Sequence, residues 1–431
     1  MQIELERVYE RLRAWCRERG YAGHDPFDAL NSRVFQATPL LRRSRAARLA
    51  WTQLFKRSPV DLRALARVPA GKNAKGTALF ALAALARFRA GAGAEHEAEA
   101  RELLEDLLTA RLEASGPDGN RAAWGYNFDW QGRAFYAPRG TPAVVPTAFA
   151  VRALVEAARA FEGGKSAGSE PGRHLSAGVE RGQSVSAGVE RGQYLGAARG
   201  ACEFILRGLN RSVESDDELC FSYTPLDRTR VFNASLLAAE ALASVGALTG
   251  EKELKGAAQS ATRYVLRRQR ADGSWAYGAD AYQSWADNFH TAFVLDSLAR
   301  IQRDSAGELE NDADLNVEIS RAVERGYAFW RSAFFLADGW PKYYHDRVYP
   351  ADAHSAGAAI VALAALRDSA EGALELAGTV TRWAVRELLD ERGFFHYQRR
   401  RFRRVRTPYM RWSQAWMMYA LARLLEVSSE Q

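Results

Sequence analysis

Apolar residues recur at three- and four-residue spacing along most of the chain and are interrupted every few dozen residues by short polar or Gly-containing turns. This is the pattern of helices that bury one face. The stretch ATRYVLRRQRADGSWAYGADAYQSWADNFHTAFVLDSLARI, from Ala261 to Ile301, shows the order: a helix, an Asp-Gly turn, aromatics, a polar-aromatic loop and a second helix. The same phrase returns. PDGNRAAWGYNFDW leads to PTAFAVRALVEAARAF, DDELCFSYTPLDRTRVFN to ASLLAAEALASV, DGWPKYYHDRVYPAD to HSAGAAIVALAAL and ERGFFHYQRR to SQAWMMYALARLL; AGKNAKGTALFALAALARF is a copy without the aromatic turn.

Aligned in this way, six second helices open near Thr77, Thr147, Ser235, Thr291, Ser355 and Gln414, small or polar residues suited to a helix start. Segments 40–55, 95–113, 194–210, 252–269, 315–336 and 370–390 keep the helical period and supply the partners. Twelve helices in six hairpins predict an all-α, single-domain (α/α)6 toroid over residues 1–431, with the connections at one end surrounding a central cleft. SWAYG and FFHYQRR are expected as short β-hairpins on that rim. Residues 163–193 interrupt the pattern: they are rich in Gly and Ser and contain SAGVERGQ twice, at 176 and 186, which predicts a flexible, non-catalytic insertion.

Composition narrows the function classes. With 431 residues and 47% hydrophobic content the chain can fill a large core. MQIELERVYERLRAWCRERG contains no apolar run of signal-peptide length, and charged residues recur inside every helix-like segment, short of the roughly 18 apolar residues a membrane span requires. These features predict a cytoplasmic protein without a transmembrane segment. Cys16, Cys202 and Cys220 lie far apart, which argues against a disulfide framework or a thiolate zinc site. The formal charge of +7 suggests an anionic partner.

Two resemblances follow from these residues. ATRYVLRRQRADGSW resembles the Q-x-x-D-G-S-W turn of terpene cyclase and prenyltransferase repeats, where Gln caps and Trp stacks between neighbouring hairpins. That likeness implies a fold, because the D-x-D-D motif of class II terpene cyclases and the metal-ligand spacing of protein prenyltransferases are absent. KNAKGTALF, DNFHTAFVLDSL and TPYMRWSQAWMMYAL together are similar to a family of polysaccharide-biosynthesis proteins from bacterial exopolysaccharide loci, along essentially the whole chain outside the insertion. The Y-M-R-W run also resembles, over a few residues, a stretch near the end of the glucuronyl C5-epimerase toroid domain. These resemblances imply a carbohydrate-active protein of bacterial polysaccharide biosynthesis.

A rim of titratable groups mixed with aromatics suits a sugar, since rings stack on pyranose faces while Arg and Asn bind its oxygens. His290 and His354, taken as equivalent repeat positions, stand at helix mouths that favour a neutral imidazole or a bound anion. KYYHDRVYPADAH, from Lys342 to His354, is the densest polar-aromatic loop. Proton abstraction beside a uronate carboxylate needs a base and a charge neutraliser. His290, Tyr344, His354 and Tyr409 are the acid/base candidates; Asn288, Arg347, Asp352, Arg411, Trp412 and Tyr343 are the substrate-binding candidates, with Arg347 and Arg411 as carboxylate clamps.

RRRFRRVRTPYMRW holds seven Arg in fourteen residues, a pattern that suits a polyanionic glycan; no nucleic-acid motif accompanies it. No ligand spacing implies a metal, and no cofactor is implied. The expected activity is epimerase or lyase chemistry on an anionic, uronate-type glycan or sugar precursor, in the setting of a membrane-associated polysaccharide assembly complex. Three alternatives stand beside it: a glycoside hydrolase using Asp287, Asp346 and Asp352, a terpenoid cyclase-like enzyme with an apolar cleft, and a non-catalytic glycan-binding protein.

Overall fold

The computed structural model describes residues 2–58, 60–114, 121–132, 134–161, 177–305 and 313–430, with side chains from residue 188 onward in the segment that begins at 177. In chain order its helices are α1 Gln2–Glu18, α2 Arg33–Gln36, α3 Pro39–Arg43, α4 Arg45–Arg57, α5 Ala74–Arg89, α6 Ala94–Thr109, α7 Val144–Ala160, α8 Ala177–Gly208, α9 Phe232–Thr249, α10 Lys252–Leu266, α11 Asn288–Asp304, α12 Ala313–Phe334, α13 Ala353–Ala365, α14 Ala373–Leu388 and α15 Trp416–Ser429. The helices α5, α7, α9, α11, α13 and α15 pack side by side in that order, and α15 returns to α5. Around them α6, α8, α10, α12 and α14 each back the inner helix that precedes them, while α1 backs α15. The architecture is the expected (α/α)6 toroid.

The ring closes differently from the sequence reading. Segment 40–55 is not an outer helix: α4 buries only Thr52 and Phe55 and belongs to a lobe over the rim, whereas α1 presents the buried stripe Val8, Tyr9, Leu12 and Cys16 that an outer helix needs. The lobe, residues 19–73, has a small core of its own, Ala29, Phe55, Ala66 and Val68 beneath Trp51 and Leu62.

The repeated Asp-Gly turn explains how neighbouring hairpins lock. Gly273 holds φ at 87°, a left-handed conformation that glycine adopts without strain, and a methyl group there would run into the Arg325 carbonyl of α12. The equivalent turns bring Gly339 against Thr379 of α14 and Gly393 against Arg11 of α1. Each turn therefore abuts the next outer helix around the ring. Gln269 Nε2 donates to the carbonyls of Gly273 and Ala322 at 3.0 and 2.9 Å, and Trp275 Nε1 donates to Val265 O at 3.0 Å.

The short strands are confined to these rim connections. β1 Leu112–Ala114 pairs with β2 Arg121–Ala123, β3 Trp130–Gln131 with β4 Tyr136–Ala137, and β5 Arg211–Glu214 with β6 Leu219–Phe221; β7 Ala351–Asp352, β8 Gln398–Arg399 and β9 Arg404–Val405 form a three-stranded antiparallel sheet. SWAYG forms no strand pair, only an isolated bridge between Gly278 and Val231, and FFHYQRR contributes just β8. Of the segment expected as an insertion, 163–176 lies outside the described residues; the backbone from Ala177, through both octapeptides, is the start of α8. Phe232–Thr249 is long and apolar enough to cross a membrane, yet it is the inner helix α9, with 83% of that window buried in the ring.

Below the rim the ring's centre is filled in layers. Phe149, Phe293 and Trp416 meet on the axis, with ring centroids 5.2–5.9 Å apart. Beneath them Arg152 binds Glu240 through two nitrogens at 2.7 and 2.6 Å and Asp296 at 2.7 Å. Arg300 extends the network to Asp296 at 2.9 Å and to the Tyr419 hydroxyl at 3.2 Å, and Arg89 joins Glu426 to Glu156. Groups from α5, α7, α9, α11 and α15 thus share one enclosed ionic plug.

Arg152→Met removes both guanidinium bonds to Glu240 and one of the two that Asp296 receives. A loss of about 3–5 kcal/mol is expected in denaturant unfolding; parental stability would show that the plug contributes little.

Candidate functional site

Above the aromatic layer, the N-terminal ends of the inner helices surround a cleft of about 1020 Å³. Its position follows from the helix caps. Asn73, Asp287 and Asp352 cap α5, α11 and α13 by accepting from the backbone N–H of Lys75, His290 and Ser355 at 3.1, 3.0 and 2.8 Å. The residue two positions after each cap, Lys75, Phe289 and His354, lines the cleft. His290 stands three positions after its cap, so it and His354 do not share a register; their expected equivalence is corrected by this one-residue offset, which turns a helical side chain by about 100°.

The two imidazoles meet the cleft in different ways. His290 Nδ1 lies 2.7 Å from Asp287 Oδ2, and the ring packs beside Tyr277 and Phe289, with the side chain 22% exposed. The carboxylate fixes the orientation of the ring. His354 is 1% exposed, and both of its ring nitrogens lack a hydrogen-bond partner. It stacks on Trp412 with centroids 4.1 Å apart and meets Phe289 edge-on at 4.4 Å. Burial, reinforced by the charges of Lys75 and Arg411, holds its pKa well below the ordinary imidazole value. The ring is therefore neutral at neutral pH.

Lys75, the second residue after the Asn73 cap, is 3% exposed and has no carboxylate within ion-pair distance among the described residues. Its ammonium sits 4.4, 4.7 and 5.2 Å from the centroids of Phe149, Phe293 and Trp416. Burial, with Arg411 and Arg152 nearby, lowers its pKa well below that of a free lysine. Arg411 donates from Nε to Asp25 Oδ2 at 2.6 Å and lies over Tyr126 and Trp412. Residues Met410–Ala415 are wound as a wide π-helical turn, which carries Arg411 and Trp412 into the cleft wall.

Tyr343 and Tyr344 also line the cleft, with centroids 4.7 Å apart, and Arg347 covers Tyr344 from the exposed rim while pairing with Asp346 through two bonds of 2.9 Å. Further aromatic walls come from Tyr126, whose hydroxyl meets that of Tyr223 at 2.9 Å, and from Tyr277 stacked on Trp285 at 4.8 Å. The lobe contributes Lys56, 4.4 Å above the Phe27 ring.

Three expected site residues serve the scaffold instead. Asn288 is wholly buried and committed on both sides, donating to Lys342 O and accepting from Trp330 Nε1 at 3.0 Å each. Asp352 is enclosed as the α13 cap and accepts from Trp412 Nε1 at 3.2 Å, so it orients the indole that stacks on His354. Tyr409 is 2% exposed and accepts from Arg63 Nη1 at 2.9 Å, and burial pushes its phenol up to about 12.

No family model matches the sequence, and no curated protein does. Solved structures do. A cellobiose 2-epimerase from Bacillus thermoamylovorans superposes with a TM-score of 0.56 at 14% identity, over 83% of this chain and 88% of that one. A sugar epimerase from a ruminal bacterium gives 0.55 at 13% identity over 83% and 87%, and a glycosyl hydrolase family 88 protein from Bacteroides vulgatus gives 0.54 at 8% identity over 100% and 99%. At these identities the likeness is one of fold, the toroid.

Because His354 stays neutral when folded but takes a proton near pH ~6.5 when unfolded, its contribution favours the native state above that pH and is lost as the pH falls. Unfolding from pH 8 down to 5 is expected to show a shallower acid-side loss in His354→Gln than in the parent, by up to about 1.4 kcal/mol per pH unit. Identical slopes would mean that the buried imidazole takes up its proton freely.

Proposed function

We propose that the chain is an enzyme that moves a proton on an anionic sugar, an epimerase or lyase of uronate-type glycans or their precursors. The observation that carries this reading is the pair of imidazoles in one cleft: His290 oriented by Asp287, and His354 held neutral with both nitrogens unbonded. In an epimerisation one group removes the proton from the carbon beside the carboxylate and another returns it to the opposite face. A lyase uses the first half of this sequence and then expels the β-oxygen. Tyr344, which lines the same cleft, is a further acid candidate.

Charge supports the anionic substrate. The residues lining the cleft include six cations, Lys56, Arg57, Lys75, Arg347, Arg400 and Arg411, against the two acids Asp287 and Asp346. Arg411 is the permanent cation for negative charge developing on a sugar carboxylate, where a preformed charge lowers the barrier most, and Lys75 stands near it with its proton loosely held. The aromatic walls suit pyranose faces, and several structures of similar fold are named as sugar epimerases. The motif resemblance to exopolysaccharide-locus proteins supports a place in glycan assembly.

A hydrolase reading draws on the family 88 protein of the same fold. It is weaker here, because Asp287 is held by its cap and by His290, while Asp346 is paired with Arg347 on the rim. A terpenoid cyclase is disfavoured by the same six cations, which would repel a carbocation.

Incubation with uronate-containing and neutral glycans in deuterated water, followed by NMR and by absorbance, is expected to give deuterium at C5, with unsaturated ends if the enzyme is a lyase. His290→Asn should lower the rate about 10²- to 10⁴-fold. New reducing ends without deuterium would replace this reading with hydrolysis, and binding without any change in the glycan would replace it with a binding protein.

A further inference from the structure

The charge of the chain is unevenly placed. Residues 33–67 of the lobe carry nine Lys/Arg and one Asp, and residues 399–406 of the β8–β9 hairpin carry six Arg and no acid. These 43 residues, a tenth of the chain, hold more positive charge than the net +7 of the whole, so the remainder is net negative. The two segments touch: Arg400 donates to the carbonyls of Lys56 and Arg57, and Arg403 donates to that of Arg57, all at 3.3 Å.

The same segments hold exposed apolar side chains. Among the described residues, seven of the fourteen large hydrophobics left in solvent lie here, including Leu40 at 80%, Leu65 at 81% and Phe402 at 87% exposure, with Leu54 and Val60 between them. They are surplus to the lobe's own core, which Phe55 and Trp51 already fill. Phe402 sits at the hairpin tip with Arg401 over its ring. Arg-rich surface alone would suit any polyanion. Arginines interleaved with protruding Leu, Val and Phe suit an interface that is anionic at its surface and apolar just below, with the Arg stems lying along the boundary.

We propose that the lobe and the β8–β9 hairpin form a docking surface for an anionic lipid bilayer. The apolar tips enter the headgroup region, and the arginines meet lipid phosphates. The surface borders the mouth of the cleft, because Gln53, Lys56, Arg57 and Arg400 line it. Docking therefore opens the cleft alongside the membrane. This inference rests on the lobe and hairpin and stands whatever reaction the cleft performs.

The test uses the full chain with phosphatidylcholine vesicles with and without phosphatidylglycerol. Sedimentation with the anionic vesicles is expected, weakened by salt. Two triple variants, Leu40→Ser/Leu54→Ser/Phe402→Ser and Arg42→Glu/Arg43→Glu/Arg401→Glu, should each bind about tenfold more weakly with an unchanged melting temperature. Cys16, Cys202 and Cys220 are buried, so Phe402→Cys can carry a single environment-sensitive dye, whose emission should shift to the blue on anionic vesicles. Equal binding to neutral and anionic vesicles, or none, would overturn the proposal. So would binding to a soluble polyuronate with no dye shift on vesicles, which would make this an outer glycan surface.

Discussion

The ion cluster under the cleft is the constraint on which the working end depends. A ring of six inner helices leaves an axial space that must be filled, and this chain fills the lower half with Arg152, Arg300, Glu240, Asp296 and their neighbours. Buried charges are tolerated because each is matched; with one partner missing, the uncompensated ion is costly. The arrangement reaches upward through the aromatic layer. Phe149 has Arg152 4.9 Å and Lys75 4.4 Å from its ring centroid. Burial above this floor, with the charge of Arg411 added to it, lowers the proton affinity of both Lys75 and His354.

The rim was legible as a place and not as a set of directions. Repeated small and polar residues at the helix starts located the cleft, and the Asp-Gly turns revealed their purpose once Gly273 and Gly339 were seen against neighbouring outer helices. What the repeat could not disclose was the orientation of each side chain. Asn288 follows its cap by one residue and faces Trp330, Phe289 follows by two and faces the axis, and His290 follows by three and returns to the cap. A step of one residue decides between scaffold and cleft, and a pattern that tolerates such a step cannot resolve it. Aligning Asp287 with Asp352 as caps would have separated the two histidines and brought Lys75 into view.

Other features were hidden by distance along the chain. Arg411 was picked out, but its partner Asp25 lies in the lobe, and Tyr409 looked available only because Arg63 was unseen. The role of α1 was similarly obscured. Its apolar stripe is plain, but nothing local shows that it completes a hairpin begun by α15.

That last pairing has a consequence for how the protein comes into being. Arg411 meets Asp25 across 386 residues and Arg63 meets Tyr409 across 346, contacts whose chain-closure cost delays their formation. On a ribosome, the helices from α1 to α14 emerge before Trp412 and α15, and domains form as their residues become available. The nascent ring is an open horseshoe with its axial aromatic layer lacking Trp416 and His354 lacking the indole on which it stacks. A chain that has not yet reached α15 is thus without a complete cleft, and the ring acquires its working face only once that helix is made.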